Sequence, residues 1–95
     1  MDHLQSFLGR NPQACYTQIG HDEIVILNPI NENLYLLNES AVDLWLSLEK
    51  PKTAVELVQT LAEKYSGHSE VYRQDVIEWI ADMKQKGLLS EFYIR

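Results

Sequence analysis

The chain has 95 residues, with 14 acidic residues against 8 Lys and Arg and a net charge of −6. At ~150 residues per domain this is one small domain with room for a modest core, and the acidic balance disfavours nucleic acid and anionic membrane as nonspecific partners. The single cysteine, Cys15, excludes an internal disulfide and a multi-cysteine metal centre, no apolar run approaches the ~18–20 residues that span a bilayer, and a soluble, cytoplasmic protein is expected.

Residues 1–14 are weakly patterned. Leu4, Phe7 and Leu8 share a helical spacing, but Gly9, Asn11 and Pro12 interrupt it. A weakly ordered N-terminal tail is expected there, with a single domain over 15–95. Cys15 to Ile19 reads as a strand and Gly20-His21-Asp22 as a turn. Glu23 to Leu27 is a second strand, rich in β-branched residues. Asn28 to Asn33 is a reversing loop with Asn and Pro, and Leu34 to Leu37 a third strand. Short connections make the three an antiparallel meander.

Helical spacing takes over after residue 38. The first helix spans about Glu39 to Leu48, with Asn38 as N-cap and Ala41, Leu44, Trp45 and Leu48 on one face. Pro51 ends it. Thr53-Ala54-Val55-Glu56 is a capping box that starts the second helix. Leu57, Val58, Leu61, Ala62 and Tyr65 form its stripe, and Gly67 stands where a left-handed residue closes helices. The third helix runs from about Glu70 to Lys86, with Tyr72, Val76, Trp79, Ile80 and Met83 at three- and four-residue spacing. Gly87 is expected at C′, with Leu88 folding back on Met83. Leu88 to Ile94 is a terminal strand or a docked tail. The order β-β-β-α-α-α is an α+β fold resembling a winged helix-turn-helix with its three-stranded antiparallel sheet ahead of its helices.

The catalytic signals are weak. No nucleophile elbow and no Gly-rich phosphate loop is present, so neither an enzyme nor a bound cofactor is expected. His3, His21 and His68 lie too far apart for the short ligand spacing of a metal site. Asp75, Glu78 and Asp82 read as a solvated helix face. As a DNA reader the third helix is poor: Glu70, Asp75, Glu78 and Asp82 outnumber Arg73, Lys84 and Lys86.

The third strand is more informative. Leu34, Tyr35, Leu36 and Leu37 carry no charge and no Pro, the devices that blunt an edge. At the edge of a meander they offer backbone groups to a strand from another chain. The alternatives are that Leu88 to Ile94 covers this edge, or that it pairs a homodimer. Trp79 is either a core aromatic or the lining of a groove between the third helix and the sheet.

Several motifs carry a family resemblance. They are Asn33-Leu34-Tyr35-Leu36-Leu37-Asn38-Glu39-Ser40-Ala41 with Leu44-Trp45, Lys52-Thr53-Ala54-Val55-Glu56-Leu57-Val58, Asp75-Val76 and Lys86-Gly87-Leu88-Leu89. In this order they resemble the PqqD-like family, the RiPP recognition elements, over roughly Glu23 to Leu89. The resemblance implies a non-catalytic adaptor. It would bind the leader segment of a ribosomally made precursor peptide by strand addition and deliver it to a modifying enzyme such as a leader peptidase, cyclase or radical enzyme. Carried over by position, the peptide-binding residues are Asn33, Leu34, Tyr35, Leu36 and Leu37 on the strand. On the third helix, spacing adds Tyr72, Asp75, Val76, Trp79, Ile80 and Met83. The segment Glu23 to Leu37 is similar to the lasso-peptide type more than to PqqD proper. The rival readings are a winged-helix DNA-binding protein and a small structural or dimerising subunit.

Overall fold

Alternating burial organises the first half of the chain. The computed structural model describes residues 5–94. Its strands are β1 (Gln5–Arg10), β2 (Cys15–Gln18), β3 (Glu23–Asn28), β4 (Asn33–Asn38) and β5 (Leu89–Ile94), and its helices are α1 (Ser40–Ser47), α2 (Ala54–Tyr65) and α3 (Ser69–Gln85). The meander forms as expected: β2, β3 and β4 make a three-stranded antiparallel sheet in sequential order, and three helices follow. Val25 stands opposite Thr17 on one side and Leu36 on the other. Ile24, Ile26 and Leu37 turn inward and are buried, whereas Leu34 and Leu36 turn outward and are exposed.

The N-terminal segment departs from the expected tail. Gln5–Arg10 pairs antiparallel with β5 as a second, two-stranded sheet. Leu8 is buried in the same core as the helices, and its N–H and carbonyl bond Lys52 at 2.8 and 3.0 Å. A local pattern cannot reveal a partner some eighty residues away, and Gly9 and Pro12, which break a helix, do not prevent a short strand. Residues 1–4, including His3, lie outside the described residues. The C-terminal segment therefore covers β1 and not β4. Glu91 on β5 accepts from Ser6 and lies 2.6 Å from Lys84 Nζ. Those two partners hold its carboxyl below the usual carboxylate range, the lysine bond contributing most.

Trp45 is the centre of the core. It is fully buried, and Tyr16 meets its ring edge-on at 5.7 Å. The Arg10 guanidinium lies 4.9 Å from both ring centroids and donates to the Trp45 carbonyl at 2.6 and 3.0 Å. One side chain thus ties β1, β2 and α1 together through cation–π and hydrogen-bond contacts.

Helix ends follow the sequence at some points and depart from it at others. The Thr53–Glu56 capping box is present, with reciprocal bonds of 3.2 and 2.9 Å. At the end of α3, Gly87 has φ +74, and the Gly87 and Leu88 amides donate to the Lys84 and Met83 carbonyls at 3.0 and 2.9 Å, a Schellman closure. Two expected caps move by one residue. Asn38 remains in β4, paired with Glu23, so Glu39 becomes the N-cap of α1, at φ 54 and without a side-chain cap. Ser66, not Gly67, takes the left-handed conformation after α2. Gly67 instead makes room for Tyr72, whose Cε2 would stand 2.7 Å from an added Cβ.

Gly87→Ala would force a left-handed alanine whose Cβ stands 2.9 Å from Asn28 Nδ2. A loss of about 1–2 kcal/mol is expected, and Thr53→Ala should cost about 1 kcal/mol. Urea unfolding should show lower midpoints with unchanged slopes. An unchanged Gly87→Ala midpoint would refute the closure.

Candidate functional site

In an antiparallel pair, residues that exchange backbone bonds alternate with residues that do not. The Glu39 amide donates to the Asp22 carbonyl at 3.0 Å, one step beyond the β3–β4 register. The Ile19 amide donates to the Glu23 carbonyl at 3.0 Å, one step beyond the β2–β3 register. Both bonds give the same alternation: β3 uses its even-numbered residues toward β4 and its odd-numbered residues toward β2. The backbone groups of Tyr35 and Leu37 are therefore spent on β3, the Asn33 amide donates to Asn31 Oδ1 at 3.0 Å, and the backbone groups of Leu34, Leu36 and Asn38 face the open edge. Among the described residues, no strand pairs with that edge.

Side chains on the same strand divide in a matching way. Leu34 and Leu36 are 68% and 58% exposed. They continue an apolar outer sheet face through Val25 and Leu27 to Cys15. Tyr35 points inward and is half-buried, and the hydroxyl that ends it accepts from Asn31 and Asn33 side chains at 3.2 Å.

Helix α3 runs beside β4 in the opposite direction. At one end Lys86 Nζ lies 5.3 Å from the Tyr35 ring centre, and Asn28 Nδ2 donates to the Lys86 carbonyl at 3.1 Å. At the other end Tyr72 and Asp75 share a hollow of about 310 Å³ with Glu39, Ser40, Leu61 and Tyr65. Glu39 and Asp75 have no ion-pair partner among the described residues, while Lys86 is paired with Asp82 at 2.8 Å. The strip between β4 and α3 is thus acidic near Asn38 and carries a lysine near Tyr35.

The predicted helix residues separate. Asp75 is exposed, and Tyr72 and Trp79 are half-buried and pack on the core from the β4 side. The buried Trp79 indole N–H has no partner among the described residues. Val76 and Met83 are fully buried and form the floor, offering no surface of their own. Ile80 faces elsewhere, into a hollow with Leu8, Ala54 and Ile77. Leu37 is likewise buried, so it supports the edge without lining it. Sequence reasoning did not single out Asn38, Glu39 and Lys86. Register counting from the hairpin would have found Asn38, but Lys86 read only as a cation suited to the helix terminus.

Below the acidic end, Asp43 lies 2.6 Å from Lys64 Nζ and accepts from the Tyr65 hydroxyl. That hydrogen bond, then burial, then the charges of Asp43, Asp22 and Glu39 push the Tyr65 phenol from 10.0 to about 12. Because the folded value is raised, the bond contributes stability below the ordinary phenol range, and that contribution is lost as pH rises through about 12. An ultraviolet phenolate titration, with circular dichroism confirming the folded state, should show a tyrosine ionising only near pH 12. Asp43→Asn should return it toward 10.0; a shift that survives this change would have another cause.

Among the described residues no helix is long and apolar enough to cross a membrane, and no three His, Cys, Asp or Glu side chains converge to hold a metal ion. The family described as Coenzyme PQQ synthesis protein D (PqqD) matches residues 23–89. No curated protein matches the chain. A similar solved structure is TbiB1 in complex with the TbiA(beta) leader peptide. It has 22% identity, a TM-score of 0.79 and coverage of 86% of this chain and 94% of that one. A second is the solution NMR structure of the PqqD truncation of Methylobacterium extorquens PqqCD, described as a functional and stand-alone RiPP recognition element. It has 19% identity, a TM-score of 0.73 and coverage of 88% of each chain. At these identities the likeness carries the fold.

Proposed function

The chain belongs to the PqqD family, and we propose that it is a non-catalytic, cytoplasmic adaptor for the leader segment of a ribosomally synthesised precursor peptide. The observation that carries this reading is the open edge of β4, where Leu34, Leu36 and Asn38 hold unpaired backbone groups beside α3. A leader in extended form completes the ladder there, main-chain bonds supplying register and alternate side chains supplying selectivity. Tyr72, Trp79 and the Tyr35 ring receive side chains that turn toward α3. Asp75 and Glu39 favour a basic residue at the Asn38 end. A modifying enzyme then meets its substrate at raised effective concentration. The likeness to TbiB1, solved with a leader peptide bound, supports leader binding; a lasso-type pathway over the quinone-cofactor pathway is proposed on the resemblance of Glu23 to Leu37.

The DNA-binding alternative finds little support on α3. Arg73, Lys84 and Lys86 each pair with a carboxylate, at 3.6, 2.6 and 2.8 Å, so the helix offers phosphates no uncommitted cation.

The test is a fluorescence-anisotropy titration with the labelled leader encoded beside this gene. Saturable binding at micromolar concentration or tighter is expected. Leu36→Pro removes an amide on the open side, where proline leaves the β3 ladder intact, and it should weaken binding tenfold or more. Full affinity in a folded Leu36→Pro variant would refute strand addition. No binding by the wild type, with a mass that rises with concentration, would instead assign the edge to a homodimer.

A further inference from the structure

Glu39 occupies a backbone conformation that side chains disfavour. Its φ of 54 and ψ of −128 lie in a region that glycine adopts freely and other residues rarely. The conformation is imposed from both sides. The Glu39 amide donates to the Asp22 carbonyl, and the Glu39 carbonyl accepts from the Val42 amide, each at 3.0 Å. β4 thus passes into α1 with no intervening loop, and Glu39 absorbs the turn. As N-cap of α1 it makes no side-chain bond to the helix, where Asp, Asn, Ser or Gly would serve better. Asp43 already places an acid in the first turn for the helix dipole. Folding alone therefore favours glycine at this position and gives no reason for glutamate.

The surroundings of the side chain supply a reason. Glu39 lines the hollow of about 310 Å³ with Ser40, Leu61, Tyr65, Tyr72 and Asp75. Neither Glu39 nor Asp75 has an ion-pair partner among the described residues. Lys64 is committed to Asp43 at 2.6 Å, and the Tyr65 hydroxyl donates to the same carboxylate. Two uncompensated carboxylates therefore stand beside two phenol rings, 6.4 Å apart and tilted by 43°. The charges of Asp22 and Glu39 both act on the Tyr65 phenol, so the field in the hollow is negative. A guanidinium matches this combination. Its forked donors suit carboxylates and its planar face suits a tyrosine ring.

Resting on the reading of the β4 edge as a leader site, we propose that Glu39 is a specificity-determining residue of that site. With Asp75 and the Tyr72 ring it takes an arginine side chain of the leader. Side chains of an added strand alternate, so this arginine is one that turns toward α3 beyond Leu37. Glutamate stands at a glycine position for binding and not for folding. Relief of the strain therefore strengthens the fold and removes the recognition.

Two measurements on the full-length chain test this. In urea unfolding, Glu39→Gly should raise the midpoint. A lowered midpoint would overturn the assignment of strain. Fluorescence anisotropy then uses the labelled leader encoded beside this gene, and versions of it with each arginine replaced in turn by glutamine. Glu39→Gly, and separately Glu39→Gln, which keeps the backbone and the side-chain shape, should each weaken binding about tenfold. One arginine replacement should weaken binding to the wild type by a similar factor and have little further effect on Glu39→Gln. Binding indifferent to Glu39, a leader without arginine, or losses that add in full would overturn the subsite and leave strand addition standing. A leader that does not bind the wild type would overturn strand addition and the subsite together.

Discussion

Backbone groups on β3 are shared alternately between two neighbours, and that alternation decides what β4 leaves open. Each even-numbered residue of β3 satisfies a residue of β4, and each odd-numbered residue satisfies one of β2. β4 lies at the edge of this sheet, so alternate residues bond inward and the others have no strand partner among the described residues. The same parity sends Ile24, Ile26 and Leu37 into the core and leaves Leu34 and Leu36 outside. A slip by one residue would expose the core face and bury the outer one. Register, core and open edge are thus one constraint.

The edge persists because other parts of the molecule hold the sheet without covering it. Trp45, on the helix that follows β4, packs under the sheet, and Arg10 pins its carbonyl from β1. Replacing a buried tryptophan costs about 3–5 kcal/mol, against a typical total of about 5–15 kcal/mol. β5 pairs with β1 and so is unavailable to β4. The Schellman closure at Gly87 turns the chain away from Tyr35 toward that second sheet. α3 is consequently tied to the sheet at its Lys86 end and shares a hollow with Glu39 and Ser40 at its other end, while the outward backbone groups of β4 have no strand partner among the described residues.

Much of this was legible in the residues. The meander, the capping box at Thr53 and the Gly87 closure follow from local chemistry, because each is a short-range pattern with its own hydrogen bonds. The β1–β5 sheet was not legible, because its pairing joins the two ends of the chain and local signals there are weak. The caps at Glu39 and Ser66 departed for tertiary reasons: the β3–β4 ladder runs on past Asn38 to the Glu39–Asp22 bond, and Gly67 was needed for the Tyr72 ring. For the site, the uncharged Leu34–Leu37 run identified the strand, yet only register shows which of its residues offer backbone groups. Helical spacing alone could not separate Asp75 and Trp79, which flank β4, from Val76 and Met83, which form the floor, or from Ile80, which faces α2 and β1.

The most direct measurement is amide hydrogen exchange along β4 with and without the leader peptide. In the free protein, Tyr35 and Leu37 should be protected by β3 and Asn33 by the Asn31 side chain, while Leu34, Leu36 and Asn38 exchange quickly. Saturating peptide should slow those three amides and leave the other three little changed. Peptide binding that leaves Leu34, Leu36 and Asn38 exchanging at their free rates would contradict strand addition at this edge.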